Sequence, residues 1–378
     1  MGVSSPGVSL APSPRTSPGR QRVVVAMSGG VDSSLAAALL AEKDLDVVGV
    51  TMHLAGESSR CCSLEDADDA RRVAESLGIP FYVANYKESF QREVIDVFAD
   101  EYLAGRTPIP CVACNKRFKF DYLMERAEVF GAARVATGHY ARVARDPESG
   151  RFELRRARDL QKDQTYFLFQ LDQFQLSRIL FPLGELSKQE VRRRARALGL
   201  KTADKPESQE ICFVPGGDYV EVVESLRPEA RARGGDIVDT HGTVLGRHGG
   251  VHRFTVGQRH GLGISSDRRL YVLRLDASER RVIVGPASKL AKSGAEVGSV
   301  SWLDGAPPGQ PVRARVQIRH RHPGAKATLY PLELDTVHVE FDEPVNAVSP
   351  GQAAVFYQGG ASDDDRGERV LGGGWIRG

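Results

Sequence analysis

The stretch Val23-Val24-Val25-Ala26-Met27-Ser28-Gly29-Gly30-Val31-Asp32-Ser33 constrains the fold of this chain more than any other. An apolar run without polar alternation is the pattern of a strand buried on both faces, and here it passes through two glycines into a helix-like segment, Ser33 to Glu42. A second strand is expected at Val47 to Thr51. Leu64, Ala67, Ala70, Val73, Ala74 and Leu77 then recur at helical spacing up to Gly78, and Ile79-Pro80 leads into a strand at Phe81 to Ala84. Helices are expected at Phe90 to Leu103 and Phe118 to Phe130, with a strand at Arg134 to Thr137. Parallel strands need crossover helices, so this alternation predicts an α/β domain with a doubly wound, mostly parallel sheet. Ser187-Lys188-Gln189-Glu190 has capping-box spacing and opens a basic helix to Leu198, which carries the α/β pattern to about Phe213.

A chain of 378 residues exceeds the roughly 250 to 300 that one core supports, so further domains are expected. Beyond Gly234 helical periods vanish, and short β-rich runs appear at Tyr271 to Leu275, Val282 to Val284, Val312 to Ile318, Val337 to Phe341 and Ala353 to Tyr357. We divide the chain into a tail over 1–21, an α/β domain over 22–213, a small central domain over 214–288 and an antiparallel β-barrel over 289–378. The tail is rich in Ser, Pro and Gly and reads as disordered; a transit peptide is the alternative, opposed by its prolines.

No stretch approaches the roughly 18 consecutive apolar residues of a membrane span, so no membrane partner is expected. Five cysteines, an odd number with no signal-peptide core before them, argue against a secreted disulfide scaffold and for reduced thiols in the cytoplasm. Cys61 and Cys62 read as small buried hydrophobes. A net charge of +2 argues nothing about nucleic acid, and local patches must carry that question. Val312, Ala314, Val316 and Ile318 alternate with Arg313, Arg315, Gln317 and Arg319, giving a strand with one apolar and one basic face. His320, Arg321 and His322 extend it, and Arg192-Arg193-Arg194 with Arg196 make a second basic patch. Each suits a phosphate track, and each taken alone also suits a solvated surface.

The turn Ser28 to Ser33 has the chemistry of a phosphate site. Glycines let the backbone approach an oxyanion, serines donate hydrogen bonds, the helix dipole favours negative charge, and Asp32 can hold magnesium on phosphate oxygens. It lacks the Gly-Lys-Ser/Thr ending of a Walker loop. The hexapeptide in this setting resembles the pyrophosphate loop of the ATP pyrophosphatase superfamily, whose members cleave ATP between the α and β phosphates.

Further segments narrow the resemblance. They are Gly105 to Lys116 with Cys111 and Cys114, Phe118-Lys119-Phe120, Gly138-His139-Tyr140, Lys162 to Leu168, Glu210-Ile211-Cys212-Phe213 and Gly257 to Ile264. In this order they resemble the tRNA-specific 2-thiouridylases from about residue 22 to the end. The resemblance implies an adenine nucleotide alpha hydrolase-like fold for the α/β domain, and an enzyme that adenylates the 2-oxygen of the wobble uridine of tRNA and replaces it with sulfur. Oxygen is a poor leaving group until adenylation lets it depart as AMP; a persulfide can then supply sulfur and a second thiol can release it. By resemblance Cys212 carries the persulfide and Cys114 pairs with it, while Lys116, Arg117 or a helix N-terminus would favour the thiolate. A persulfide donor protein is the implied partner beside tRNA.

The resemblance also implies that Ala26, Met27, Ser28, Gly29, Gly30, Val31, Asp32, Ser33, Met52 and Gly138 bind ATP with Mg2+. It places Ile109, Pro110, Cys111, His139, Lys162, Asp163, Gln164, Arg319, His320 and Gln352 on the tRNA. Ile109 and Cys111 stand where relatives often have Asn and Asp, and His320 where they have Tyr, a change expected to weaken stacking but not phosphate attraction. No dedicated metal site is expected, although Cys111, Cys114 and Cys212 could alternatively hold an iron–sulfur cluster, as in other tRNA thiolases. Two rival readings are a pyrophosphate-loop ligase that amidates a small metabolite and a tRNA-binding protein with an inactive nucleotide loop.

Overall fold

The computed structural model describes residues 19–54, 64–207, 211–333, 335–358 and 368–378. Cys61, Cys62, Glu210 and residues 1–18 of the expected tail lie outside the described residues.

Strand β1 (Gln21–Ala26) is buried from Arg22 to Val25, as its apolar run requires. It pairs in parallel with β2 (Leu45–His53) on one side and β4 (Arg134–Ala136) on the other. With β3 (Phe81–Asn85) beside β2 and the strand Ile179–Leu180 beside β4, the sheet has five parallel strands. The chain fills one side of β1 before crossing to the other, so strand order reverses between β1 and β4. In open α/β sheets that reversal opens a crevice at the carboxyl edge, where ligands bind.

Alternate residues of β1 feed two cores. Val23 and Val25 meet α1 (Val31–Ala41), α2 (Leu64–Ser76) and the helix Lys188–Ala197 through Leu35, Ala36, Leu40, Val73 and Val191. Val24, with Val48, Val50 and Met52, meets helical runs 87–103 and 110–129 through Phe90, Phe98, Phe118 and Phe120.

The second of these runs begins at Pro110, well before the Phe118 expected from periodicity. Proline is well placed in a first turn, where its missing N–H has no partner to lose. Both Cys111 and Cys114 therefore lie on a helix, which widens to π-type winding over Cys114–Tyr122.

A hairpin of Arg142–Arg145 and Phe152–Arg155, short and poor in alternation, was not expected from sequence. The central domain holds a four-stranded sheet in the order Tyr271–Asp276, Arg281–Gly285, Gly235–Val238, Val244–His248. The C-terminal part is a closed six-stranded antiparallel barrel that includes Val312–Gln317, Ala353–Gln358 and Val370–Ile376.

Barrel and α/β domain share a core because one strand is apolar on both faces. Ala354 and Phe356 point into the barrel, while Ala353, Val355 and Tyr357 join Tyr166 and Phe169 of the α/β domain. Gly373 on the neighbouring strand makes room for this contact: a Cβ there would lie 2.8 Å from the Phe169 ring. Gly373→Val is expected to overpack the junction and lower unfolding stability by about 1 to 3 kcal/mol, read from the denaturant midpoint of the full chain; an unchanged midpoint would refute the close approach.

Candidate active site at the carboxyl edge of the sheet

Between β1 and α1 the chain turns through Ser28, Gly29 and Gly30, with Met27 buried beneath and lying over Gly49. Gly29 has φ of 72°, and a side chain on it would overlap the Asp66 carbonyl at the start of α2. Gly30 is the N-cap of α1, and no side chain among the described residues caps the first turn. Its N–H groups, at the positive end of the helix dipole, suit an external anion. Ser33 closes the turn from within: its Oγ accepts from Ser28 N at 3.0 Å and donates to Gly30 O at 3.2 Å.

Asp32, at the start of α1, accepts from the Tyr140 hydroxyl at 2.7 Å and from Lys188 Nζ at 2.8 Å to each oxygen. Lys188 also lies 2.5 Å from Glu207, whose other oxygen accepts from Lys162 at 2.6 Å. Burial opposes ionisation of Glu207, but hydrogen bonds from Lys162 and Lys188 outweigh it and hold the carboxyl below its ordinary range. Burial, and next the Asp32 charge, push the Tyr140 phenol far above its usual value, so it remains a donor.

Lys188 is the site residue that sequence reasoning missed. Its neighbours Ser187 and Glu190 form the expected capping box, and the lysine was read only as part of that cap. The available signal was electrostatic: a cation in the first turn opposes the helix dipole, and such a placement calls for another partner.

Across the strand-order reversal, Gly138 follows β4 and packs directly on the turn; a Cβ there would lie 2.7 Å from Asp32 C and Ser33 N. His139 is buried, with Nδ1 2.8 Å from Thr137 Oγ1 and its ring against Phe120 and Phe181. Burial, then the charge of Lys119, holds this imidazole well below its ordinary pKa, so it is neutral at pH 7. Tyr140 and Gln164 exchange hydrogen bonds of 2.9 Å, Tyr140 N to Gln164 Oε1 and Gln164 N to Tyr140 O. Ala26 ends β1 at this edge, and Met52 is buried near the end of β2 in the core that faces the cysteine helix.

The thiol-bearing segments meet on one aromatic anchor. Phe118, one turn beyond Cys114, packs edge-on against Phe90 at 5.3 Å, and Phe213, next to Cys212, packs against the same ring at 5.9 Å. Phe120 on the cysteine helix touches His139, which joins that helix to the nucleotide turn. Cys111, Cys114 and Cys212 are all partly buried. Among the described residues no three His, Cys, Asp or Glu side chains are arranged to hold a metal ion, so Cys111, Cys114 and Cys212 are not gathered as a ligand set. The cations near Cys114 have carboxylate and amide partners. Lys116 is engaged by Asp121 and Gln175, and Arg117 by Glu93. The helix that carries Cys111 and Cys114 opens at Pro110, so its positive end lies on the Cys111 side.

The barrel presents Arg319 and His320 to this region. Asn115, next to Cys114, donates to Phe167 O at 3.4 Å, and the Phe167 ring lies 4.5 Å from that of His320. Burial, then Arg321, lowers the His320 pKa, so the expected phosphate attraction is weak at neutral pH while its ring contacts persist. The basic strand is likewise less free than its sequence. Arg313 pairs with Asp342, Arg315 with Glu368, and Gln317 is buried; Arg319 is exposed. In the other patch Arg192 caps the carbonyls of Ala203 and Lys205, and Arg196 pairs with Asp204. Gln352 donates to Thr107 O at 2.9 Å, placing the barrel against Ile109 and Pro110, the entry to the cysteine helix. Asp163 is buried, its carboxylate accepting from Ala157 N, Arg156 and Thr165.

Residues 21–216 match the family model described as the tRNA methyl transferase HUP domain. Residues 224–286 match a tRNA methyl transferase PRC-barrel domain and residues 292–376 an aminomethyltransferase beta-barrel domain. The chain is 50% identical over 375 residues to the tRNA-specific 2-thiouridylase MnmA of Solibacter usitatus, a match covering 94% of this chain and 99% of that protein. It is 50% identical over 371 residues to the same-named protein of Geobacter metallireducens, covering 96% and 98%, and 51% identical over 367 residues to that of Rhodospirillum rubrum, covering 94% and 96%. With identity at this level along nearly the whole of each chain, this protein belongs to the tRNA-specific 2-thiouridylase family.

Proposed function

We propose that this chain is an ATP-dependent tRNA-uridine 2-sulfurtransferase that thiolates the wobble uridine, acting in the cytoplasm with a persulfide donor protein as partner. The observation that carries the reading is convergence on one crevice. The uncapped turn of α1, the Gly138-His139 segment and the cysteine helix are joined through Asp32, His139 and Phe120.

ATP phosphates bind at the turn Ser28 to Ser33, where the N-terminus of α1 and the serine hydroxyls stabilise negative charge. Met52 and Gly138 lie at the strand ends on either side and bracket the adenine. Lys188 and Lys162, held near the turn by Asp32 and Glu207, are placed to neutralise charge that develops as pyrophosphate leaves. Magnesium would neutralise phosphate charge there, and Asp32 is the carboxylate that would hold it.

The tRNA lies across the barrel face at Arg319, His320 and Gln352 and over Lys162 and Gln164, with the target base extruded toward Ile109, Pro110 and Cys111. Neutral His139 contributes a ring face and a hydrogen-bonding nitrogen rather than charge. Asp163 positions its neighbours, since its carboxylate is already engaged. After adenylation of the 2-oxygen, the terminal sulfur of the Cys212 persulfide attacks C2 and AMP leaves with that oxygen. The Cys114 thiolate then attacks Sγ of Cys212, which forms a Cys114–Cys212 disulfide and leaves the outer sulfur on the base as the thiocarbonyl. A thiol reductant reopens the disulfide for the next turnover.

Both rivals fit the molecule less well. An amidating ligase leaves the paired thiol segments and the docked barrel without a role, and an inactive loop is at odds with the retained Asp32, Cys114 and Cys212. Cys212→Ser and Cys114→Ser are each expected to keep tRNA and ATP binding while abolishing 2-thiouridine, measured by nucleoside mass spectrometry after incubation with ATP, magnesium, a persulfide donor and unmodified tRNA. Wild-type thiolation by either variant would overturn the sulfur relay. Lys188→Met should slow tRNA-dependent pyrophosphate release by about 10²-fold or more with tRNA affinity retained, as removal of a transition-state charge partner does; undiminished release would remove Lys188 from the site.

A further inference from the structure

We infer that Arg156 is a positioning residue for tRNA: its guanidinium sets the Arg319-His320 turn of the barrel in register with the Lys162-Asp163-Gln164 segment of the α/β domain. The inference rests on the reading that both segments meet tRNA.

Arg156 is nearly buried, and its guanidinium joins the two domains. Nη1 donates to Asp163 Oδ2 at 3.0 Å, and Nη2 donates to Gln317 Oε1 at 3.2 Å. Nε lies 2.9 Å from Glu368 Oε2, and the guanidinium carbon sits 3.7 Å from the centre of the Tyr357 ring. The chain continues beyond the first partners. Gln317 donates its amide N–H groups to the carbonyls of Arg319 at 3.2 Å and His320 at 2.6 Å. On the other side Asp163 precedes Gln164, which is hydrogen-bonded to Tyr140, whose hydroxyl reaches Asp32 in the nucleotide turn. Polar contacts, joined by the peptide link between Asp163 and Gln164, therefore run from the nucleotide turn to the exposed arginine of the barrel.

Guanidinium is the group that such a junction requires. It is planar, always charged and forked, so it can bond two partners in different directions while stacking on an aromatic face. A lysine ammonium offers one point of charge and cannot do all three. Docking of the barrel does not itself depend on this residue, because the domains share the core of Tyr166, Phe169, Val355 and Val370, and because Arg369 separately bridges Glu153 and Asp304. What does depend on Arg156 is the local register of a turn whose backbone carbonyls are held by Gln317.

The test is steady-state thiolation by the full-length chain, with wild type, Arg156→Met, Arg156→Lys, Gln317→Leu and the Arg156→Met/Gln317→Leu double variant. An unmodified tRNA transcript with uridine at the wobble position is the substrate, and direct tRNA affinity is measured in parallel by filter binding. Each single variant is expected to raise the tRNA KM and Kd about tenfold, the size of a lost charge-assisted hydrogen bond. The ATP KM and the turnover at saturating tRNA should be retained. Arg156→Lys should resemble Arg156→Met, and the double variant should be no worse than the worse single one, because both act through one chain of contacts.

Restoration of tRNA affinity by lysine, additive losses in the double variant, or a fall in turnover with unchanged tRNA KM would overturn the assignment. Should Arg156→Met fail to fold, Gln317→Leu alone decides, since Arg156 then keeps Asp163 and Glu368. Absence of 2-thiouridine with wild type would defeat the proposed reaction and leave the filter-binding comparison to judge Arg156 separately.

Discussion

The geometry of this protein depends on one close approach of backbone to backbone. Gly138, at the carboxyl end of β4, lies so near Asp32 and Ser33 that no side chain could stand between them. The sheet order reverses there, with β1 and β4 adjacent and their connections leaving in opposite directions. A crevice at such a reversal follows from topology, but its depth is set by how closely the second strand's exit loop packs on the helix start of the first. The glycine brings His139 and Tyr140 into the crevice: the phenol fixes Asp32, and the imidazole touches the helix that carries Cys111 and Cys114. The Ser28–Ser33 turn and the cysteine helix are joined through three consecutive residues, Gly138 to Tyr140.

A second constraint is the strand Ala353–Gln358, buried along five of its six positions. A strand apolar on one face would close the barrel and leave it as a separate body. This one gives alternate residues to two cores, so the barrel cannot turn freely against the α/β domain, and its Arg319-His320 turn keeps a fixed position relative to the cysteine helix. Gly373 and Phe169 complete the junction.

Charge is more localised than the sequence suggests. Several arginines of the apparent phosphate tracks are paired: Arg313 with Asp342, Arg315 with Glu368, Arg196 with Asp204. Burial holds His139 neutral, and desolvation with the Arg321 charge lowers the pKa of His320. Arg319 stays exposed beside the crevice, while Lys162 and Lys188 are concentrated on Asp32 and Glu207 at the nucleotide turn. Specific binding by a few placed cations is consistent with a net charge of only +2.

Much was legible without coordinates, for local reasons. The run Val23 to Ala26 with its glycine turn announces a buried strand feeding a helix; the capping box at Ser187 is a contact between residues three apart; and the alternation in Val312 to Val316 reads directly as one face in and one face out. The cysteine segments also stand out in the sequence, because each motif is contiguous and resembles those of the family. What it could not contain were contacts between residues far apart along the chain. The placement of Lys188 on Asp32, the engagement of Lys116 and Arg117 by carboxylates, the burial of Gln317 and the meeting of Phe118 and Phe213 on Phe90 all depend on how domains pack. Periodicity and caps fix secondary structure through neighbours within a few residues. Which charge is neutralised, and which cysteine segments meet, is decided only when distant segments compete for the same space and partners in the folded chain.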